Sequence, residues 1–123
     1  MTALWRATSI DAPYFGRGSF WTPSRARAEW YTTTPGFGGP KLYRTEVPDS
    51  ASILDLRRDP WRVLDEQFGL DRHDYDAAPD HELLADLVPL LAASGAAWAP
   101  FCIGTDEEWI RLADDAMVVA AET

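Results

Sequence analysis

Hydrophobic positions along the chain switch between a period of two and a period near 3.6, and the switches divide it into short elements. Residues 3–7, ALWRA, read as a first strand with one charge, Arg6. A charged residue in so short an apolar strand sits at its exposed end or points into a polar cleft. Residues 8–14 form a loop containing Pro13. A turn opened by Gly16 and Gly18 leads into the strand Ser19-Phe20-Trp21, and a helix follows with Thr22 as N-cap and Pro23 in its first turn, reaching Trp30 and Tyr31. Residues 41–47 alternate as a strand, and 52–56 form a short β-branched and leucine strand. Asp59 and Pro60 open an amphipathic helix that carries Trp61, Leu64 and Phe68 on one side and ends at Gly69. Residues 81–94 are a leucine-rich helix that Pro89 must kink or split and Gly95 stops. Residues 97–103 are an apolar strand with Pro100 at an edge or bulge. Gly104-Thr105-Asp106 turns the chain into a strand at 107–112, and a second turn returns it as a last strand at 117–121. Helices and strands mix without strict alternation, so the fold class is α+β.

With 123 residues the chain makes one domain, 1–123, with a single core. No run reaches the roughly 18–20 apolar residues of a membrane span. The first residues lack a basic segment followed by an apolar one, so no secretory leader is expected. One cysteine, Cys102, excludes an internal disulfide and suits a reducing, cytoplasmic setting; its strand context reads as a small buried hydrophobe. The formal net charge of −9 disfavours a general nucleic-acid binder, because an acidic surface repels phosphate backbones. Arg17, Arg25 and Arg27 gather near the glycine turn, either as a solvated helix face or as a small basic mouth for a phosphorylated ligand.

The candidate chemistry is concentrated in residues 15–31. Phe20, Trp21, Trp30 and Tyr31 read as core rings, or two of them face each other across a slot. The loop at 32–40, TTTPGFGGP, lacks the Lys-Ser/Thr ending of a phosphate-binding loop and reads as a connector or a mobile cover over a pocket. The acidic loop at 71–80, with His73 and the adjoining His81, matches no tight ligand spacing, and no metal is expected there. Glu107 and Glu108 open a strand and point to opposite faces, so one of them meets the packed or cleft side.

Taken in order, Arg6 on the first strand, Gly16, Gly18, Phe20, Trp21, Thr22, Ala28 and Tyr31 in the second region, and the run Glu108-Trp109-Ile110-Arg111-Leu112 before Asp114 resemble the three motifs of the ADP-ribosyltransferase superfamily, in its small single-domain bacterial or phage type. The resemblance spans almost the whole chain. It departs at Phe20, where one branch carries Tyr and another Ser, and at Ala7, where Gly is usual.

The resemblance implies a split β-sheet core with few short helices and an NAD cleft. It further implies an NAD-dependent ADP-ribosyltransferase that releases nicotinamide and modifies a protein or small-molecule acceptor. Alternatives are an NAD glycohydrolase or a non-catalytic binding module on the same fold. NAD is then the substrate, with no metal. By resemblance Glu108 is the catalytic carboxylate, with Glu107 as alternative, and Arg6 binds ribose or phosphate. Ala7 holds the carboxamide through its backbone, and Gly18, Phe20 and Tyr31 complete the cofactor site, the two rings stacking on nicotinamide. A toxin role with a neutralising partner protein is a further implication, without membrane association.

Overall fold

The computed structural model describes residues 1–11, 13–75 and 79–122; residues 76–78 of the acidic loop lie outside the described residues. The described chain is α+β, with two three-stranded antiparallel sheets and three helices. In chain order the elements are β1 (Thr2–Thr8), β2 (Phe20–Trp21), α1 (Arg25–Thr33), β3 (Lys41–Val47), α2 (Pro60–Phe68), α3 (His81–Ala92), β4 (Trp98–Ile103), β5 (Asp106–Arg111) and β6 (Ala120–Ala121), with a single 3₁₀ turn at Arg72–Asp74. One sheet has the order β1-β3-β6 and the other β2-β5-β4.

The two sheets meet at one antiparallel bridge. Trp5 N–H donates to the Thr22 carbonyl at 2.8 Å, and Thr22 N–H donates to the Trp5 carbonyl at 2.9 Å. This bridge explains why α1 begins later than the sequence suggests. Thr22 is committed to β1 and cannot cap the helix. Ser24 does so instead, its hydroxyl accepting from Arg27 N–H at 3.2 Å.

Two apolar clusters hold the layers together. Helices α2 and α3 bury Leu64, Leu84, Val88 and Leu91 against Phe101, Ile110 and Leu112 on one face of β2-β5-β4. Between the sheets, Leu4, Trp21, Val47, Trp98 and Trp109 form the second cluster. Trp21, 1% exposed, is core as expected from its pattern, whereas Trp30 is 52% exposed and is not.

Further elements depart from the sequence reading. Residues 53 and 56 make isolated parallel bridges to Trp98 and Phe101 rather than a full strand. Pro100 gives its carbonyl to Leu56 N–H at 2.8 Å, so its missing N–H falls on the side of β4 away from β5 and costs the ladder nothing. Helix α3 runs unbroken through Pro89, which is exposed; an unpaired carbonyl facing water is cheap. Cys102 is exposed rather than buried, because the alternation of β4 turns Phe101 inward. The last strand does not close a hairpin on β5: β6 crosses to the other sheet and pairs with β3 at Tyr43 and Arg44.

Capping gives a direct check. Ser24→Ala is expected to lower stability by about 1 kcal/mol in urea denaturation. An effect within about 0.3 kcal/mol of zero would count against Ser24 as the cap.

Candidate functional site

The Trp5–Thr22 bridge ties the middle of β1 to the residue that follows β2, and a cleft of about 280 Å³ opens beside it. Arg6 and Ala7 from β1, Phe20 from β2, Tyr31 from α1 and Glu108 from β5 all line it. Thus five of the six residues expected at the site from the sequence come together.

Gly18 does not join them. Its φ of +89° and the bond from its N–H to the Arg111 carbonyl at 2.7 Å make it a turn residue that fixes the entry into β2. The expected pairing of rings also changes. Phe20 packs edge-on against His81 and Phe101, with centroids 5.1 and 6.0 Å away. Tyr31 stacks instead on Phe37, at 5.7 Å and an interplanar angle of 20°. In place of the expected pair of Phe20 and Tyr31, the cleft is lined by two ring contacts, Tyr31 with Phe37 and Phe20 with His81.

The lining residues that sequence reasoning did not place at the site include Phe37, Gly38 and His81. The only aromatic in a run of three glycines and two prolines was the available signal for Phe37. The loop itself is built for close approach to β1. Gly38 has φ +57°, and a Cβ there would stand 2.5 Å from the Ala7 carbonyl oxygen. His81 was read as part of the acidic loop. It is the first residue of α3, placed by the Asp80 cap, whose carboxylate accepts from Leu83 N–H at 3.0 Å.

Arg6 is largely a structural residue. Its Nε donates to the Tyr14 carbonyl and a terminal nitrogen to the Phe20 carbonyl, both at 2.9 Å, so it ties the preceding loop to β2. Burial lowers its pKa from the ordinary guanidinium value. The neighbouring arginines do not form a basic mouth. Arg17 approaches Asp114 at 3.6 Å, Arg25 bonds Glu29 at 2.8 Å, and Arg27 pairs with Asp106 at 2.8 Å while its guanidinium lies 5.2 Å from the centre of the Tyr31 ring.

Glu108 is the chemical centre of the cleft, at 4% exposure. Glu107 faces away, accepting from Trp109 Nε1 at 2.8 Å. Burial pushes the Glu108 carboxyl up to about 7, against the opposing pull of Arg27; Asp106 adds to the rise, while the Tyr31 hydroxyl and Arg6 oppose it. Tyr31 is raised in turn, by burial first and then by the negative charge of Glu108. His81 Nε2 lies against Glu108 Oε2. Burial, and then Arg27, lower the His81 pKa, so at neutral pH the imidazole is uncharged. The cleft therefore sets an uncharged imidazole against a carboxyl that changes charge near neutral pH, and Glu108 Oε2 is buried without a hydrogen bond. Among the described residues no cluster of His, Cys, Asp and Glu is grouped to hold a metal ion.

No family model matches the chain, and no curated protein matches it. Among solved structures it is similar to a crystal structure of an anti-CRISPR protein, with a TM-score of 0.55 and 17% identity over 97% of this chain and 93% of the other. At that identity the likeness is one of fold. It corrects the functional expectation: the similar structure is described as an anti-CRISPR protein and not as a transferase, and ADP-ribosyl transfer from NAD is not carried forward as the function. No helix among the described residues is long and apolar enough to cross a membrane.

The buried carboxyl predicts a pH signature. A folded pKa raised above the unfolded value of 4.5 means that its stabilising effect is present below pH 4.5 and lost as pH rises through 7. Glu108→Gln removes that titration. The variant is expected to gain roughly 2–3 kcal/mol on wild type between pH 4 and pH 8 in denaturant titrations. A difference that stays constant across this range would show that Glu108 is not held at a raised pKa.

Proposed function

We propose that the chain is an anti-CRISPR-type inhibitor that binds a protein component of a CRISPR system, with the cleft at Glu108 receiving an arginine side chain of that partner. One observation carries the reading: a carboxylate buried at the floor of an aromatic-walled cleft, in a chain of net charge −9 whose fold is similar to that of an anti-CRISPR protein. RNA-guided effectors hold nucleic acid in positively charged channels, and an acidic protein is attracted to such a surface and competes with the phosphates for it.

A guanidinium is flat, cationic and weakly hydrated, which suits the space between Tyr31 and Phe37 on one side and Glu108 beneath. Arginine inserted in a desolvated pocket is also a frequent centre of binding energy at protein interfaces. The cytoplasm, where such effectors act, is the compartment this reading implies. The finer description of the fold, an ADP-ribosyltransferase-like split core, stays part of the proposal; it is supported by the two sheets joined through a single bridge and by the grouping of Arg6, Tyr31 and Glu108 around one cleft.

A panel of purified RNA-guided effector complexes, assayed for target-DNA binding with and without the protein, tests the proposal. Inhibition of at least one complex is expected, weakened at least tenfold by Glu108→Gln. Inhibition unchanged by that variant would remove the cleft from the interface. Release of nicotinamide from NAD by wild type and not by Glu108→Gln would overturn a role confined to binding.

The affinity is also expected to depend on pH. An incoming guanidinium favours the ionised carboxyl, whose fraction falls as pH drops through 7. Affinity for the inhibited complex should fall about tenfold from pH 8 to pH 6, and Glu108→Gln should flatten that dependence. Equal affinity of wild type at both values would argue against an ionised Glu108 in the complex.

A further inference from the structure

A second and larger cavity, of about 790 Å³, lies on the other side of β5 from Glu108. Strand alternation separates the two. Glu108 and Ile110 face the cleft and the helices, whereas Trp109 and Arg111 face the space between the sheets. The cavity is bounded by Trp98 and Ala97 at the start of β4, Pro48 and Ala51 after β3, and Met117 on the segment that leads to β6. Its size falls within the range of small-molecule sites.

Arg111 lines this cavity and is 7% exposed, yet its Nε has no hydrogen-bond partner. A buried guanidinium donor left unsatisfied costs free energy that a ligand oxygen recovers. Arg111 stands opposite Trp98 in the register of β4 and β5, its guanidinium 5.1 Å from the centre of the Trp98 ring, so the fork is held in place by the aromatic surface. One terminal nitrogen donates to Asp115 Oδ1 at 2.8 Å. The Asp115 side chain is 75% exposed and belongs to the connecting segment, so a carboxylate already approaches this fork from a tether that solvent can draw away.

The charges around the cavity nearly balance. Arg44 is paired with Glu46 at 2.6 Å, and Arg111 with Asp115. A doubly charged phosphate would meet Glu46 and Asp115 without a free cation to offset them, whereas a single carboxylate can take the place of Asp115 on Arg111 without changing the balance. The remaining walls are apolar apart from Thr45, whose hydroxyl donates to the Val118 carbonyl, and Met1, whose amino group is paired with Asp49.

We propose that this cavity is a binding site for a small amphipathic monocarboxylate, its carboxylate on the Arg111 guanidinium in place of Asp115 and its apolar body against Trp98, Ala97 and Met117. The site is independent of the Glu108 cleft and does not rest on the function proposed for it. Asp115 acts as a competitor held on the chain.

Titration of ¹⁵N-labelled protein with sodium octanoate, followed at the Trp98 indole N–H, tests the site, with octanol as the neutral control and octyl phosphate as the doubly charged one. Saturable shifts at Trp98 are expected with octanoate, with octanol and octyl phosphate each at least about tenfold weaker, the effect of losing or mismatching one charge-assisted hydrogen bond. Arg111→Gln should weaken octanoate about tenfold. Because Arg111 also packs on Trp98, Asp115→Ala supplies the independent arm: this exposed substitution should leave the fold intact and tighten octanoate a few-fold. Equal binding of octanol and octanoate, tighter binding of octyl phosphate, an unchanged affinity in Asp115→Ala, or no shift at Trp98 would each overturn the proposal.

Discussion

Two backbone hydrogen bonds between Trp5 and Thr22 are the only bridge between the two sheets among the described residues, and most of the molecule's geometry follows from them. They fix where β1 meets the end of β2, and so where the two sheets diverge. Divergence leaves a gap, and Trp21 with Leu4, Trp98 and Trp109 fills its centre. Both cavities lie beside this filled centre, one at the end of β1 and the other under the segment before β6.

Strand β5 distributes the chemistry. Its period of two sends Glu108 to one face and Arg111 to the other, three residues apart. Each is a charged group buried in an apolar setting, and each is only partly compensated: Glu108 has His81 against it and a carboxyl raised to about 7, and Arg111 keeps one donor unpaired. Stability alone does not favour either arrangement, since a buried charge is costly unless fully bonded. That cost is the physical reason to read both faces as binding surfaces. The net charge of −9 favours the approach of basic over acidic surfaces.

Much of the fold was legible because local rules governed it. The bounds of β3 follow from clean alternation, and α2 follows from Pro60 at one end and Gly69 at the other. The α+β class and the core role of Trp21 came from pattern in the same way. Where the reading failed, a distant contact had outweighed a local preference. Thr22 is a good capping residue whose backbone was claimed by β1, and the last strand left its apparent hairpin partner to pair with β3.

The sequence by itself determined the types of the three helices and the longer strands, the acidic balance, and the alternation that puts Glu107 and Glu108 on opposite faces, since each depends on residue type and spacing along the chain. Only the tertiary structure decided that Glu108 rather than Glu107 enters the cleft, that Phe37 replaces Phe20 as the partner of Tyr31, and that His81 closes on the carboxylate. The closing of His81 on Glu108 joins residues 27 positions apart, the pairing of Tyr31 with Phe37 depends on how the glycine loop folds back on the helix, and the choice of Glu108 depends on which face of a strand the core covers. Spacing along one segment carries no information about such encounters; the divergence of the two sheets brings them about.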